Sequence, residues 1–239
     1  MNLFYIPQLQ ESSDIENWLI DLPAEEAKHA IKVLRLSIDD LIYITDGKGL
    51  LLDAKIVAIN KKQCVAKVID IKKEWGKRDY RIHIAVAPTK NIKRFEWFLE
   101  KATELGIDEI TPLISFHSER REIKDDRENK VITSAIKQSL KAYHPVLNPV
   151  VSFKDFMQRA SHEELFIAHL IDENQELLKN VCPLKKSVCI LIGPEGDFSA
   201  DELAQAMSVG YRAVSLGNTR LRTETAALAA CFTVNMINL

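Results

Sequence analysis

The sequence is short of cysteine, of long apolar runs and of net charge, and each shortage disfavours a class of protein. The four cysteines form no C-x-x-C pair, which disfavours a disulfide framework or zinc site and indicates reduced, buried thiols. No apolar run reaches the ~20 residues of a membrane span. No basic region precedes an apolar core at the N-terminus, so we expect a cytoplasmic protein without a signal peptide. The formal net charge of -2 gives no overall signature of nucleic-acid binding, so any such signature must be local.

Common nucleotide-binding and metal-binding motifs are also missing. Neither G-x-G-x-x-G nor G-x-x-x-x-G-K-[ST] occurs, which disfavours dinucleotide enzymes and P-loop proteins. The six histidines form no H-x-x-x-H, and none pairs with a cysteine at ligand spacing, so we expect no metal. The absence of G-x-S-x-G disfavours a serine hydrolase of the α/β type.

The chain that remains is 46% hydrophobic and 28% charged, and its pattern changes near residue 74. Residues 1–74 predict a small antiparallel β-barrel preceded by one helix, "LPAEEAKHAIKVLRL", with Pro23 at its first position. The polar stretch "KKEWGKRD" predicts a linker. In residues 75–239 strands alternate with helices, one of which is predicted to run from Asp125 until Pro145 stops it. This alternation predicts an α/β domain with a mostly parallel sheet covered on both faces.

Two glycine-bearing loops follow predicted strands of the second domain. The first loop carries Gly193 and Gly196 around Glu195, and the second begins at Gly217. Ligands of open α/β sheets bind beyond the carboxyl ends of the strands, so we expect both loops to form one cleft. Glu195 and Asp197 would repel a pyrophosphate, which favours a neutral or cationic ligand. The alternative that Gly193 and Gly196 only shape a tight turn stays open.

The helices that follow these loops have clear start signals. Ser199 and Glu202 predict a capping box, and Thr223 predicts a helix cap. Arg222 could hold a phosphate or oxyanion, or it could pair with Glu224 or Glu195. The neighbouring Arg220 is interpreted as solvent-exposed.

Basic residues are concentrated at two further places near predicted strand ends. One cluster begins a helix, and the other follows the strand "EITPLIS" and mixes with acidic residues. An RNA-facing rim and a solvated helix of mixed charge are both compatible with this pattern. The residues that we select for the rim are Lys90, Arg94, Arg120 and Arg121.

Three stretches in this order resemble one family: "RFEWFLEKATELG", "LIGPEGDF" and "SLGNTRLRTETAALAA". They resemble the knotted SPOUT-class RNA methyltransferases, in particular the branch that methylates N3 of a uridine in 16S rRNA. The front segment "AEEAKHAIKVLRLSIDD" resembles the PUA-like RNA-binding domain of that branch. The resemblance covers nearly the full chain. It implies a deep trefoil knot, S-adenosylmethionine as cofactor, and 16S rRNA as substrate within the 30S subunit. It also implies a homodimer whose site is completed across the interface.

The resemblance also implies roles for individual residues. Arg222 would orient the target nucleotide and stabilise negative charge. Glu195 would act as a base, hold Arg222 or favour the sulfonium cation, and these three roles stay open. His29 and Arg35 match RNA-contacting positions of the front domain. The residues that would line the cofactor are Ile192, Gly193, Gly196, Leu216, Gly217 and Leu221.

The chain departs from the family pattern at two places. Asp197 stands where a glycine is common, which predicts a stiffer first loop. The stretch "IKQSLKAYHP" keeps Gln138 and Ser139, but it has Lys137 in place of an acid and lacks a glycine-arginine pair. Two other functions stay open at this point: a ribose methyltransferase of tRNA, and a PUA-like RNA-binding protein without catalysis.

Overall fold

The computed structural model describes residues 2–14, 17–158, 163–170 and 175–239. The chain divides into two compact units, which are described separately. The first unit comprises residues 1–77 and 136–144, and the second comprises residues 78–135 and 145–239. The sequence pattern assigned residues 136–144 to the second domain, whereas the structure groups them with the first.

Within its described residues, the first unit is built on a five-stranded sheet. In the sheet the strands follow the order β1-β3-β4-β5-β2. Strand β1 runs parallel to β3 and the other pairs are antiparallel, so the prediction of a wholly antiparallel unit was wrong at this edge. The chain between β1 and β3 is long enough to cross over, which permits the parallel pairing. The strand bounds are β1 Leu3–Tyr5, β2 Leu19–Asp21, β3 Leu41–Thr45, β4 Leu51–Ile59 and β5 Cys64–Lys72.

The front helix has two parts. Helix α1, Ala24–Lys28, continues into a π-helical turn, His29–Val33. Pro23 precedes the first helical residue rather than occupying it. The predicted helix was too long, because Arg35 adopts a left-handed conformation with φ 54° that ends the helical path.

Residues 136–144 pack against the first unit through specific contacts. Lys137 forms an ion pair with Glu26. The amide of Gly49 donates to the carbonyl of Ala142 at 2.9 Å. The rings of Tyr5 and His144 stack with their centroids 5.0 Å apart. The segment that departs from the family pattern therefore has a structural role in this chain.

Among its described residues, the second unit carries a parallel sheet in the order β12-β10-β11-β6-β7-β8, with β9 pairing β7 further along that strand. The strand bounds are β6 Arg81–Val86, β7 Glu109–Ile114, β8 Val146–Leu147, β9 Val151–Ser152, β10 Glu164–Ala168, β11 Ser187–Ile192 and β12 Arg212–Val214. The helix bounds are α2 Ile92–Leu105, α3 Asp125–Ser139, α4 Phe153–Phe156, α5 Leu178–Val181, α6 Ala200–Ser208 and α7 Thr223–Ile237.

Several helix ends follow from their residues. The Asn91 side chain accepts from the amide of Lys93 at the start of α2, and Gly106, with φ 97°, ends that helix. Ser199 and Glu202 form the predicted capping box of α6. Helix α3 ends at Ser139 rather than at Pro145, because Leu140 adopts φ 54°.

Apolar side chains pack on both faces of the parallel sheet, as predicted. One core joins Ile82 and Ile84 of β6 to Phe98 of α2 and Val234 of α7. The core on the other face includes Leu191 of β11. Residues alternating along one strand thus bury opposite sides of the sheet. The implied trefoil knot stays a prediction.

Candidate functional site

A cavity of about 920 Å³ lies at the carboxyl edge of the parallel sheet and is lined by both glycine loops. Six of its lining residues are those implied to bind the cofactor: Ile192, Gly193, Gly196, Leu216, Gly217 and Leu221. Glu195 and Arg222 line the same cavity. The structure therefore brings together two loops that lie more than twenty residues apart in the sequence.

Strand β10 contributes a third part of the lining. It lies between β11 and β12, so the two glycine loops follow strands that are not adjacent. Its carboxyl end adds Ala168, His169 and Leu170 to the cavity wall. These residues were not predicted from the sequence, although the rule that places ligands beyond strand ends applies equally to "ELFIAHL".

The first loop is held by Asp197. This residue adopts φ 61°, a left-handed conformation that favours glycine. Its carboxylate accepts from the amide of Phe198 at 2.8 Å and from the amide of Leu170 at 2.9 Å. The bond from Leu170 attaches the loop to the chain beyond β10, and both bonds offset the unfavourable backbone conformation.

Glycine is required at Gly196 and at Gly217 for different structural reasons. A Cβ atom on Gly196 would lie 2.9 Å from the Cβ of His117, so no side chain fits there. Gly217 has open space around it but adopts φ 135°, which other residues rarely adopt. Close packing therefore accounts for Gly196, and backbone conformation accounts for Gly217.

Thr223 links the two glycine loops. It was predicted to cap α7, but it is the first helical residue. The N-cap position belongs to Arg222, and no side chain makes a capping hydrogen bond there. The Thr223 hydroxyl instead donates to the carbonyl of Gly193 at 3.0 Å, in a buried position. A hydroxyl at the start of α7 thus fixes the end of β11.

Glu195 is held by the loop that follows β6. Its Oε1 accepts from the amide of Lys90 at 3.1 Å. Arg120 fixes the same turn, since its guanidinium donates to the carbonyl of Thr89 at 3.0 Å and to that of Lys90 at 2.8 Å. The carboxylate that faces the cavity is therefore oriented by residues that do not line it.

Arg222 is exposed, and its guanidinium makes no hydrogen bond or ion pair within the part of the chain that the structure describes. Glu224, one of the partners considered for it, is buried and lies 3.8 Å from Arg94 instead. The other, Glu195, accepts from the Lys90 amide. Arg222 thus presents a guanidinium at the cavity rim.

The residues selected for an RNA-facing rim have different surroundings. Lys90 pairs with Glu119 at 2.8 Å, and Arg120 is occupied by two backbone carbonyls. Arg121 is exposed and has no partner among the described residues. In the first unit, His29 and Arg35 are both exposed.

Glu128 is a buried carboxyl near this rim. It is 1% exposed, and its Oε2 has no hydrogen-bond partner among the described residues. Burial, and then the nearby carboxylate of Glu96, raise the pKa of Glu128 to about 7. Arg127 and Arg120 oppose this shift without cancelling it.

Two other features are absent from the described ranges. No helix there is long and apolar enough to cross a membrane. In the same part of the chain, no group of three histidine, cysteine, aspartate or glutamate residues is arranged to hold a metal ion.

The cavity suits a molecule of moderate size. Its volume lies in the range of ordinary small-molecule sites. Its lining combines apolar residues and loop backbone with two acidic residues, Glu195 and Asp197, and two basic residues, Arg220 and Arg222. Arg222, at its rim, can meet a second, anionic molecule.

Comparisons with known proteins agree with this arrangement. The model of a family described as the RNA methyltransferase domain matches residues 76–235, which is more than half of the chain. A second model, described as the RNA methyltransferase PUA domain, matches residues 22–69.

Individual relatives cover nearly the full length. The chain is 30% identical to ribosomal RNA small subunit methyltransferase E of Rickettsia conorii, over 93% of this chain and 91% of the relative. The crystal structure of a probable rRNA-methyltransferase from Porphyromonas gingivalis has a TM-score of 0.89 at 38% identity, covering 100% and 98% of the two chains. Ribosomal RNA small subunit methyltransferase E from Neisseria gonorrhoeae, solved bound to S-adenosyl methionine, has a TM-score of 0.89 at 26% identity, with the same coverage.

Proposed function

Because this chain belongs to the RNA methyltransferase family and carries its PUA domain, we propose that it methylates N3 of a uridine in 16S rRNA, using S-adenosylmethionine. The observation that supports this proposal most is the single cavity that joins both glycine loops to Glu195 and Arg222. The near-complete coverage of relatives named for small-subunit rRNA methylation supports the substrate class.

The residues present fit the cofactor. Loop backbone around Gly193, Gly196 and Gly217 would hold its adenosine part, with Ile192, Leu216 and Leu221 as apolar walls. The missing side chain at Gly196 and the backbone of Gly217 keep the two loops in the shape of this cavity. When bound, S-adenosylmethionine supplies an electrophilic methyl group on a sulfonium cation.

Arg222 is our candidate for the residue that activates the uridine. Uracil N3 is a poor nucleophile while it is protonated, so methylation needs the proton removed or the developing anion stabilised. A guanidinium without a protein partner at the rim can hold the nucleotide and stabilise negative charge on the uracil ring.

Glu195 lines the same cavity and can support this chemistry. Its carboxylate is oriented by the Lys90 amide, and no pair with Arg222 occurs among the described residues. This arrangement favours two of its candidate roles, a base for the uracil proton and an anion that stabilises a sulfonium cation.

We propose that the protein acts as a homodimer on 16S rRNA, within the 30S subunit. Helix α7 supports the dimer: Glu224 is its one charged residue, while Phe232 and Met236 are 49% and 50% exposed. Arg121 of the second unit and His29 and Arg35 of the first are exposed residues that can contact the RNA.

The proposal is tested by primer extension on 16S rRNA from cells that lack the protein. A methyl group on N3 blocks Watson–Crick pairing, so wild-type rRNA is expected to give a strong stop that disappears in the deletion strain. Returning the wild-type gene should restore the stop.

Arg222→Ala serves as the matched variant. It should bind S-adenosylmethionine with unchanged affinity by calorimetry and fail to restore the stop. A stop that persists in the deletion strain would exclude methylation of uracil N3 by this protein. A ribose methylation that disappears instead would assign the other chemistry, and lost cofactor binding in Arg222→Ala would refute the division of roles.

A further inference from the structure

Phe116, in the loop between β7 and α3, is exposed although the backbone around it is firmly held. The residue is 71% exposed. Its amide donates to Glu202 at 2.7 Å, and the flanking Ser115 and Ser118 close a turn through bonds of 3.0 and 3.1 Å. Because the backbone is fixed, the ring loses little conformational entropy when it binds a partner. The ring itself is flat, which suits a partner with a flat face.

His117 joins this ring to the first glycine loop. The Phe116 and His117 rings meet edge to face, with their centroids 4.9 Å apart. Nδ1 of His117 donates to the carbonyl of Asp197 at 3.0 Å, and its Cβ packs against Gly196. The exposed ring is therefore attached to the cavity wall rather than to a distant surface.

The charges of this loop select the class of partner. Arg121 is exposed and lacks a partner among the described residues, whereas the neighbouring Lys90 is paired with Glu119. A flat aromatic face and a free guanidinium that are both exposed on one loop fit a nucleobase and a phosphate of the same strand. An apolar protein surface would use the ring but would leave the arginine without a partner.

We propose that Phe116 stacks on a base of the RNA substrate next to the methylated nucleotide, with His117 as support and Arg121 as a phosphate contact. The inference rests on the proposed function, since it takes the substrate to be RNA. It assigns to this loop a part of substrate recognition that neither glycine loop supplies.

The test compares Phe116→Leu, Phe116→Trp and Trp97→Leu. Trp97 is a matched control, because it is an exposed aromatic residue on α2, outside the cavity lining. The probes are radiolabelled 16S rRNA, in filter binding without cofactor, and 30S subunits from cells that lack the protein, in steady-state methylation. Calorimetry with S-adenosylmethionine and light scattering check the cofactor site and the oligomeric state.

Phe116→Leu is expected to weaken binding of the rRNA about tenfold and to raise KM for 30S subunits similarly, since it keeps apolar volume but loses stacking. Phe116→Trp and Trp97→Leu should stay within about twofold of wild type. Cofactor affinity and molecular mass should be unchanged in all three variants.

Wild-type rRNA binding in Phe116→Leu would overturn the inference. A fall in molecular mass that accompanies the loss of binding would also overturn it, and would make Phe116 a contact between protein chains. The binding measurement needs no methyl transfer. If rRNA binding depends on Phe116 while uracil N3 is not methylated, the proposed function fails and this inference stands.

Discussion

At the scale of single residues, Glu128 is the group whose ionisation the fold changes most clearly toward neutral pH. It is buried with one oxygen unpaired among the described residues, and Glu96 lies near enough to disfavour a second charge. Both effects favour the protonated carboxyl. The pKa of about 7 therefore lies above the ordinary value of 4.5.

This shift predicts a loss of stability as the pH rises. Between about pH 4.5 and 7, the unfolded chain has released the Glu128 proton while the folded chain retains it. The native state thus binds more protons, and the free energy of unfolding falls as pH increases. Glu128→Gln cannot ionise, so its stability relative to wild type should rise by about 1–3 kcal/mol between pH 5 and pH 8. Urea unfolding at both pH values measures the difference.

A matched variant separates this effect from general changes of charge. Asp126→Asn alters an exposed carboxyl in the same helix turn, and its stability relative to wild type should change little over that range. If Glu128→Gln and wild type keep a constant difference between pH 5 and pH 8, Glu128 does not carry the proton.

The residues that matter at the start of α6 and α7 could be predicted from the sequence, but their hydrogen-bond partners could be predicted only where both partners are local. The pattern S-x-x-E gave the capping box correctly, because both of its partners lie within one helical turn. Thr223 was assigned to a cap, yet its hydroxyl reaches Gly193, thirty residues earlier. Local spacing cannot show a bond whose partner is brought close only by the sheet.

At the scale of elements, the loop after β6 orients the Glu195 carboxylate of the first glycine loop, and Arg120 fixes that arrangement. Its guanidinium spans two consecutive carbonyls, which the single ammonium of a lysine cannot do with the same geometry. Arg120→Lys should therefore loosen the Lys90 amide that holds Glu195. We expect kcat to fall about tenfold or more, with KM for 30S subunits nearly unchanged. Steady-state kinetics with 30S subunits measures both constants.

The split between the two constants distinguishes positioning from RNA contact. A raised KM with normal kcat would show that Arg120 contacts the RNA, as its place in a basic cluster first indicated. Arg212→Lys is the control, because Arg212 donates to the carbonyl of Val181 at 2.7 Å from the opposite end of β12. That variant should keep normal kcat.

The alternation of strands and helices predicted the parallel sheet and its two covered faces, because each buried strand and each amphipathic helix is a local pattern. The order of the strands was not available from that pattern. Strand β10 lies between the two strands that carry the glycine loops, so its end forms part of the cavity. The helix ends just before Arg35 and Leu140 were not predicted, because the positive φ values of these two residues are rare outside glycine.

At the scale of the whole molecule, helix α7 connects stability, assembly and the site. Its first residue holds Gly193, and its buried side packs on the sheet through Ala227, Ala230 and Val234. Its other side leaves Phe232 and Met236 about half exposed. A helix with a single charged residue favours burial on both sides, and the proposed homodimer would cover this side with a second copy of the chain.

If α7 forms the interface of the proposed homodimer, a charge on its exposed side should separate the two chains. Phe232→Glu with Met236→Glu should halve the molecular mass measured by light scattering, because two carboxylates would be buried without partners. Methylation of 30S subunits should fall with the mass, since the resemblance implies a site completed across the interface. Met207→Glu is the control: Met207 is 55% exposed on α6, so this change should preserve both mass and activity. A double variant that stays dimeric would place the interface elsewhere, and a monomer with full activity would show that one chain contains the complete site.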